Sequence, residues 1–361
     1  MAGESLTILG GGNTAFAVAA NLALKGVRTT LCELPRFEAA VTPIVDSCEI
    51  GLDGVEGCGT ATLECVTTDF EAALAANDLL LLIIPAYGHR AFAEACAAFL
   101  RPDHTCVLMP GLLGSLEFAR VARECGAPEG VTVAETDTAP YVCRKLTPTS
   151  AHIWGTVTGL GLGVWPTSES ERVQRDLDVF FPGVSLYPHV AACGLAAMNP
   201  VVHPAGVVAN AGRIEYSRGD FYFYEEGVTP SVVRLICAVD RERLAIAAAL
   251  GAELLPVNTA FHVAGFGPKG DLWATINGSR MLTQLRAPGV IENRWLTEDV
   301  PYGIAAWALL SEQLGLPAPT MRALVDVASA LLERDFWLEA RTPERLGVAE
   351  MGKGELVKYL S

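Results

Sequence analysis

One junction constrains the fold of this chain more than any other. Residues 6–10 form a short apolar segment that runs straight into Gly10-Gly11-Gly12-Asn13-Thr14-Ala15, a match to G-x-G-x-x-A. Gly10 suits the tight turn from strand to helix, Gly12 lets backbone approach a pyrophosphate, and Ala15 lets the helix pack close to the sheet. Residues 14–24 then read as an Ala- and Leu-rich helix closed by Lys25-Gly26, a C-cap signal. The β-branched residues 27–32 read as a second strand, and Glu33 follows, 23 positions after Gly10. Together these make a complete βαβ unit, with the helix N-terminus offering N–H groups and partial positive charge to an anion. The cofactor-binding set is Gly10, Gly12, Asn13, Thr14, Ala15 and Glu33. An acid at the end of the second strand accepts from a ribose 2′-hydroxyl and repels a 2′-phosphate, so NAD(H) is favoured. Arg36, three residues on, keeps NADP(H) open, and a solvated strand end is the other use for Glu33.

The pattern continues as alternating short strands and helices. Residues 70–76 and 91–100 read as helices, 78–84 and 105–108 as buried strands, and 131–134 and 152–162 as further β-like segments. Residues 169–181 read as an amphipathic helix. This alternation predicts an α/β domain with a doubly wound, mostly parallel sheet. In such sheets the C-terminal strand ends face the ligand, so Pro85-Ala86, after the 78–84 strand, are placed beside the cofactor; an ordinary turn is the alternative. Beyond about residue 187 the spacing turns helical over 190–215, 231–251, 301–314 and 320–334. The expected division is a dinucleotide-binding domain over 1–186 and a mostly α-helical domain over 187–361.

Composition removes several function classes. The formal net charge is −15 with no basic cluster, which disfavours nucleic acid as a partner. Apolar runs such as residues 79–86 are far short of the ~20 residues a membrane helix needs. The first residues carry Glu4 and lack the pattern of a signal peptide, and no two of the ten cysteines are closer than seven apart. The expectation is a cytoplasmic protein with reduced thiols and no metal.

A hydride donor needs a partner group that manages the substrate's proton, and histidine suits this. Of the six histidines, His104 reads as solvated in a turn, and His152 and His189 as β-like or linker residues. His203 differs. It lies in Asn199-Pro200-Val201-Val202-His203-Pro204, within an apolar helical stretch where two prolines are costly unless the site is special. By spacing alone, a hydrogen-bonded core histidine is the competing reading. A second cluster is Arg294-Trp295-Leu296-Thr297-Glu298-Asp299-Val300-Pro301-Tyr302-Gly303, in which Thr297, Glu298 or Asp299 could equally cap the following helix.

Four stretches occur in order: N-P-V-V-H-P with N-A-G-R-I-E, F-Y-E-E-G-V-T-P-S-V at 223–232, D-R-E-R-L-A-I-A at 240–247, and R-W-L-T-E-D-V-P-Y-G at 294–303. Together they resemble the opine dehydrogenases, which include octopine dehydrogenases and bacterial N-(1-carboxyethyl)-amino-acid dehydrogenases. The resemblance runs from Gly10 to about Gly347. It implies NAD(P)H-dependent reduction of the imine formed between a 2-oxo acid, pyruvate foremost, and the amine of an amino acid. It implies His203 as the catalytic histidine and Asp299 as its carboxylate partner. It places Arg294 on a substrate carboxylate, with Asn199 nearby on the substrate side. Thr138 and Cys143, in Glu135-Thr136-Asp137-Thr138-Ala139-Pro140-Tyr141-Val142-Cys143, match the segment lining the access path for the oxo acid.

Two rival readings stay in view. One is an oxidoreductase like ketopantoate reductase or glycerol-phosphate dehydrogenase. These rely on a helical-domain lysine, and only Lys269, Lys353 and Lys358 are available here. The other is a non-catalytic dinucleotide sensor, which needs neither His203 nor Asp299. Trp273, Trp295 and Tyr222 are candidates for an apolar amine pocket or for core. The apolar segments 304–314 and 323–332 either cover the core or pair two copies as a homodimer.

Overall fold

The computed structural model describes residues 4–361. The chain forms two compact units, the first running to Gly194 and reclaiming Leu360–Ser361, the second spanning Leu195–Tyr359. The division falls inside the Val190–Ala196 helix, a few residues beyond the change of texture near 187.

The first unit contains β1 (Ser5–Leu9), α1 (Asn13–Leu24), β2 (Arg28–Cys32), β3 (Glu49–Gly54), β4 (Gly59–Thr62), β5 (Cys65–Thr67), β6 (Leu79–Leu82), β7 (Thr105–Leu108), β8 (Thr132–Thr136), β9 (Tyr141–Thr147), β10 (Ser150–Thr156), β11 (Gly161–Trp165) and β12 (Ser185–Leu186). Eight of these form one sheet in the order β12-β11-β8-β7-β6-β1-β2-β5. All neighbours are parallel except β8 and β11. The chain passes from β1 outward to β2, then returns to the other side of β1 at β6. That reversal is the topological switch point of a doubly wound sheet, where ligands bind beyond the strand ends. Strand residues alternate between two cores. Leu6, Ile8, Leu81 and Ile83 face one, which contains α1, while Leu9, Leu80 and Leu82 face the other, with Phe70, Phe92 and Phe118.

A second sheet, β4-β3-β10-β9, is absent from the sequence-based expectation. Its strands alternate only briefly and carry glycines at 51, 54, 59 and 155, so no run stands out. It packs Ile50, Leu52, Ala61, Ala151 and Ile153 into the same core as Phe16 and Val18 of α1. Asn21, buried within α1, donates to Glu56 O of the β3–β4 turn and accepts from Tyr141 Oη of β9. The helix Gly114–Glu124 is a second omission. Its N-cap Leu113 has φ +66° and supplies no side-chain cap, so no local start signal exists. Glu135 of β8 does the capping instead, accepting from Leu113 N, Ser115 N and Ser115 Oγ.

His104 corrects the expectation of a solvated residue. It is fully buried, accepting from Arg101 N through Nδ1 and lying 3.0 Å from Leu74 O through Nε2. Burial lowers its pKa, followed by the neighbouring charge of Arg101.

The second unit is helical, with its long helix Pro230–Ala249 packed on Asn199–Ala209 and Pro319–Leu332. The expected segment 190–215 resolves into three helices, Val190–Ala196, Asn199–Ala209 and Ala211–Ser217. The expected helix over 301–314 is a π-turn, Val300–Ile304, followed by Ala305–Gln313. Ala305, Ala306, Trp307, Ala308 and Leu310 are buried within this unit, so that segment covers core. The D-R-E-R motif is structural. Asp240 accepts two bonds from Arg243 and one from Val257 N, while Arg243 also donates to Leu195 O and Leu255 O. Glu242 accepts from Thr320 N and Met321 N, capping the Pro319–Leu332 helix.

Candidate active site

In the first unit the fingerprint sits at the switch point. Gly10 has φ +122°, and a Cβ there would lie 2.5 Å from Ile84 Cγ2 and 2.7 Å from Ile83 O. Only glycine fits this turn between the ends of β1 and β6. Gly12 is the N-cap of α1 and contributes no side-chain cap, and the space beside its Cα is open for 4 Å. Ala15 is fully buried, as close packing of helix and sheet requires. An uncapped helix N-terminus facing open space fits a dinucleotide pyrophosphate. Pro85 and Ala86 come directly after Ile83 and Ile84, which pack against Gly10, and open a 3-10 turn in which Ala86 is buried.

Glu33 is buried and turned onto the fingerprint. Its Oε2 accepts from Gly11 N at 2.7 Å and its Oε1 from Leu34 N at 2.7 Å. Burial raises its pKa, opposed by those two bonds and by the charges of Arg36 and Lys145. Each oxygen retains a lone pair for a further donor. Arg36 is exposed, its guanidinium 5.0 Å over the Phe37 ring.

The residues matched to the oxo-acid path lie in this unit. Cys143 points its thiol at Asn13 O and Thr14 Oγ1, at 3.9 and 3.7 Å, and burial raises its pKa. Thr138 is half-buried, its carbonyl accepting from Thr136 Oγ1. Asn13 Oδ1 accepts from Lys145 N. Lys145 was not visible to motif reading. Its Nζ lies 2.6 Å from Ala40 O and 3.3 Å from the centre of the Phe16 ring. Burial pulls its pKa down to about 8, opposed by Glu33.

In the second unit, residues far apart in sequence meet around His203. Nδ1 of His203 lies 2.8 Å from Asp299 Oδ2, and both side chains are 8% exposed. Asp299 begins the π-turn without capping it through its side chain, so the helix-cap alternative falls. An ionised carboxylate only accepts, so Nδ1 carries the proton. In the neutral ring Nε2 then accepts from the hydroxyl of Tyr224, 3.1 Å away. Tyr224 is buried on the π-turn Phe223–Gly227, and burial, then the charge of Asp299, raises its pKa. Trp295 stacks on the imidazole at 4.4 Å with an interplanar angle of 11°. An indole face favours the imidazolium when it forms.

The backbone explains why these groups meet. Gly206, one turn after His203, admits the Phe223 ring, which a Cβ would strike at 2.4 Å. Asn210 Nδ2 donates to Gly206 O and Gly227 O, tying the Tyr224 turn to the His203 helix. Arg213, on the following helix Ala211–Ser217, adds an ion pair to Glu226 of the same turn. The motifs N-A-G-R and F-Y-E-E-G thus hold one another.

Arg294 gives its Nε and Nη2 to Glu298 Oε2 at 2.6 and 2.5 Å, with a side chain 60% exposed. Asn199 is exposed at the start of the His203 helix, one turn before the imidazole. Trp273 is 46% exposed, and Tyr222 stacks with Arg286. Of the three aromatics proposed for an amine pocket, Trp295 alone meets the histidine.

Comparison with known proteins bears on this arrangement. A family described as "NAD/NADP octopine/nopaline dehydrogenase, alpha-helical domain" matches residues 186–332. A curated opine dehydrogenase of Arthrobacter sp. (strain 1C) is 30% identical over 348 residues, covering 96% of each chain. This chain belongs to the opine dehydrogenase family. Its fold is also that of an octopine dehydrogenase solved with NADH and agmatine (TM-score 0.79, 18% identity, 98% of each chain). A yersinopine dehydrogenase with NADP+ bound is similarly related in fold (TM-score 0.77, 15% identity, 96% of this chain and 98% of that one). As a family member the chain is an NAD(P)-dependent oxidoreductase acting on CH–NH bonds, catalysing the reductive condensation of a 2-oxo acid with an amine.

Proposed function

We propose that this opine dehydrogenase joins pyruvate to the amine of an amino acid, with NADH as the preferred reductant and His203 as the acid–base group. The observation that carries the assignment to His203 is its buried 2.8 Å contact with Asp299. The nicotinamide cofactor, when bound, supplies the hydride for the imine carbon. Asp299 holds Nδ1, fixes the tautomer and stabilises the imidazolium, leaving Nε2 as the nitrogen that exchanges a proton with the substrate. Arg294 grips a substrate carboxylate through its guanidinium fork, which requires an exchange with Glu298. Glu33 accepts from the adenosine ribose 2′-hydroxyl through its remaining lone pairs, which favours NADH over NADPH. Thr138 and Cys143 line the oxo-acid path, Cys143 beside the first turn of α1. The family's chemistry of 2-oxo acids and NADH supports a cytoplasmic location, as do ten free thiols. A homodimer would use the exposed apolar side chains Val327, Leu331 and Leu338.

The test is NADH oxidation followed by absorbance, with pyruvate, oxaloacetate or 2-oxoglutarate against a panel of amino acids. Turnover that requires both partners, fastest with pyruvate, is expected. Turnover with the oxo acid alone would assign the chain to simple 2-oxo-acid reduction instead.

A further inference from the structure

Both nitrogens of His203 are occupied by buried protein groups, Nδ1 by Asp299 and Nε2 by Tyr224. Trp295 covers one ring face. The nitrogen that must exchange a proton with the substrate therefore has a phenol hydroxyl in its path. The Tyr224 turn is fastened to the His203 helix by Asn210 and by the close approach of Phe223 to Gly206, so this placement is built in. We propose that Tyr224 is a catalytic residue, a hydroxyl relay through which the proton passes between His203 Nε2 and the substrate. The proposal rests on the assignment of His203 as the acid–base group.

The step balances as follows. In the carbinolamine formed from the 2-oxo acid and the amine, the hydroxyl oxygen takes the Tyr224 O–H proton. The C–O bond breaks with its electron pair on the departing water, and the nitrogen lone pair completes the C=N bond of the iminium. As the phenol loses its proton, its oxygen takes the Nε2 proton of the imidazolium, leaving a neutral ring. One positive charge has moved from the ring to the iminium, and the phenol is regenerated. A hydroxyl serves both directions because it accepts and donates at once. Burial and the Asp299 charge both hold the phenol protonated, the form a relay needs in its resting state. An indole stacked on the ring favours the imidazolium that begins the step.

The experiment is Tyr224→Phe in the full-length enzyme, read by single-turnover NADH oxidation in mixtures of H2O and D2O. We expect the rate to fall by about a hundredfold, the low end of what acid–base groups contribute, with the NADH dissociation constant unchanged within about twofold, as befits a residue that acts only on the proton. The wild-type dependence on deuterium fraction should be curved, reporting two protons in motion, and should become linear in the variant. A rate within about threefold of wild type overturns the relay, as does a wild-type dependence that is already linear, or a slow variant that keeps the curvature. Should Tyr224→Phe fail to fold, tyrosine fluorinated at position 224 retains the hydroxyl and alters only its acidity; an unchanged rate then overturns the relay. His203→Ala, measured alongside, separates the two levels. An active His203→Ala removes the acid–base assignment itself, whereas an inactive one beside a fast Tyr224→Phe removes only the relay.

Discussion

The fingerprint of the first unit and the histidine cluster of the second solve different problems with different parts of the chain. The fingerprint works through backbone: a positive φ at Gly10, an uncapped helix start at Gly12, and open space in front of it. Backbone geometry is set by neighbours in sequence, so its residues are contiguous. The cluster works through side chains from positions 203, 224, 295 and 299, brought together by packing. Anion binding can be written as a local motif; proton transfer between buried groups cannot.

The strongest way to break that contrast is to remove the imidazole. His203→Ala should lower kcat by about a thousandfold while fluorescence titration finds NADH affinity within about twofold of wild type, since uniform binding is not what the imidazole supplies. Loss of NADH affinity in step with the rate would show that the two regions are not separable. Gly10→Ala tests the other side. The new Cβ meets Ile83 O at 2.7 Å in a backbone conformation that L-residues rarely adopt, so about 3 kcal/mol or more of stability should be lost. A melting temperature close to that of wild type would mean that the turn is softer than its geometry implies.

Asp137 sharpens the comparison by asking whether the backbone-run unit also carries a costly side chain. It accepts from Gly161 N and Tyr187 Oη, yet burial lifts its pKa from 3.8 to about 6. With the folded value above the unfolded one, the folded state binds more protons between about pH 4 and 6. The contribution of Asp137 to stability is therefore present below pH 4 and lost as the pH rises through 6. Asp137→Asn should match wild type at low pH and exceed it by at most about 3 kcal/mol at neutral pH, read from melting temperature against pH. A difference independent of pH would remove the burial argument. The smallest expected effect is at Glu33. Glu33→Gln should shift the ratio of NADH to NADPH dissociation constants toward NADPH by up to about tenfold, about 1.4 kcal/mol. An unchanged ratio would mean that the carboxylate serves Gly11 and Leu34 alone.

Legibility follows the same line. The βαβ unit, the parallel sheet and the helical second half were readable, because strand alternation and glycine turns are local. The small sheet was not, since its strands are short and its stability comes from the face of α1 that it covers. The Gly114–Glu124 helix was hidden because its cap, Glu135, lies some twenty residues away. His104 looked solvated in a turn but closes that turn from inside. The resemblance singled out His203 and Asp299; spacing alone left both with structural uses. Tyr224 lay within a quoted motif without a role, and nothing in F-Y-E-E-G marks its hydroxyl for an imidazole.

What the amino-acid order determined unaided is the architecture of the nucleotide half and the identity of the groups available for chemistry. Tertiary structure alone decided which of them meet: that Asp299 serves His203 and not a helix end, that Glu298 holds Arg294, and that a phenol stands at the other nitrogen of the imidazole. The physical reason is range. Turn geometry is exhausted within a few residues, whereas a buried hydrogen bond between distant side chains forms only where packing excludes water and leaves polar groups one another as partners.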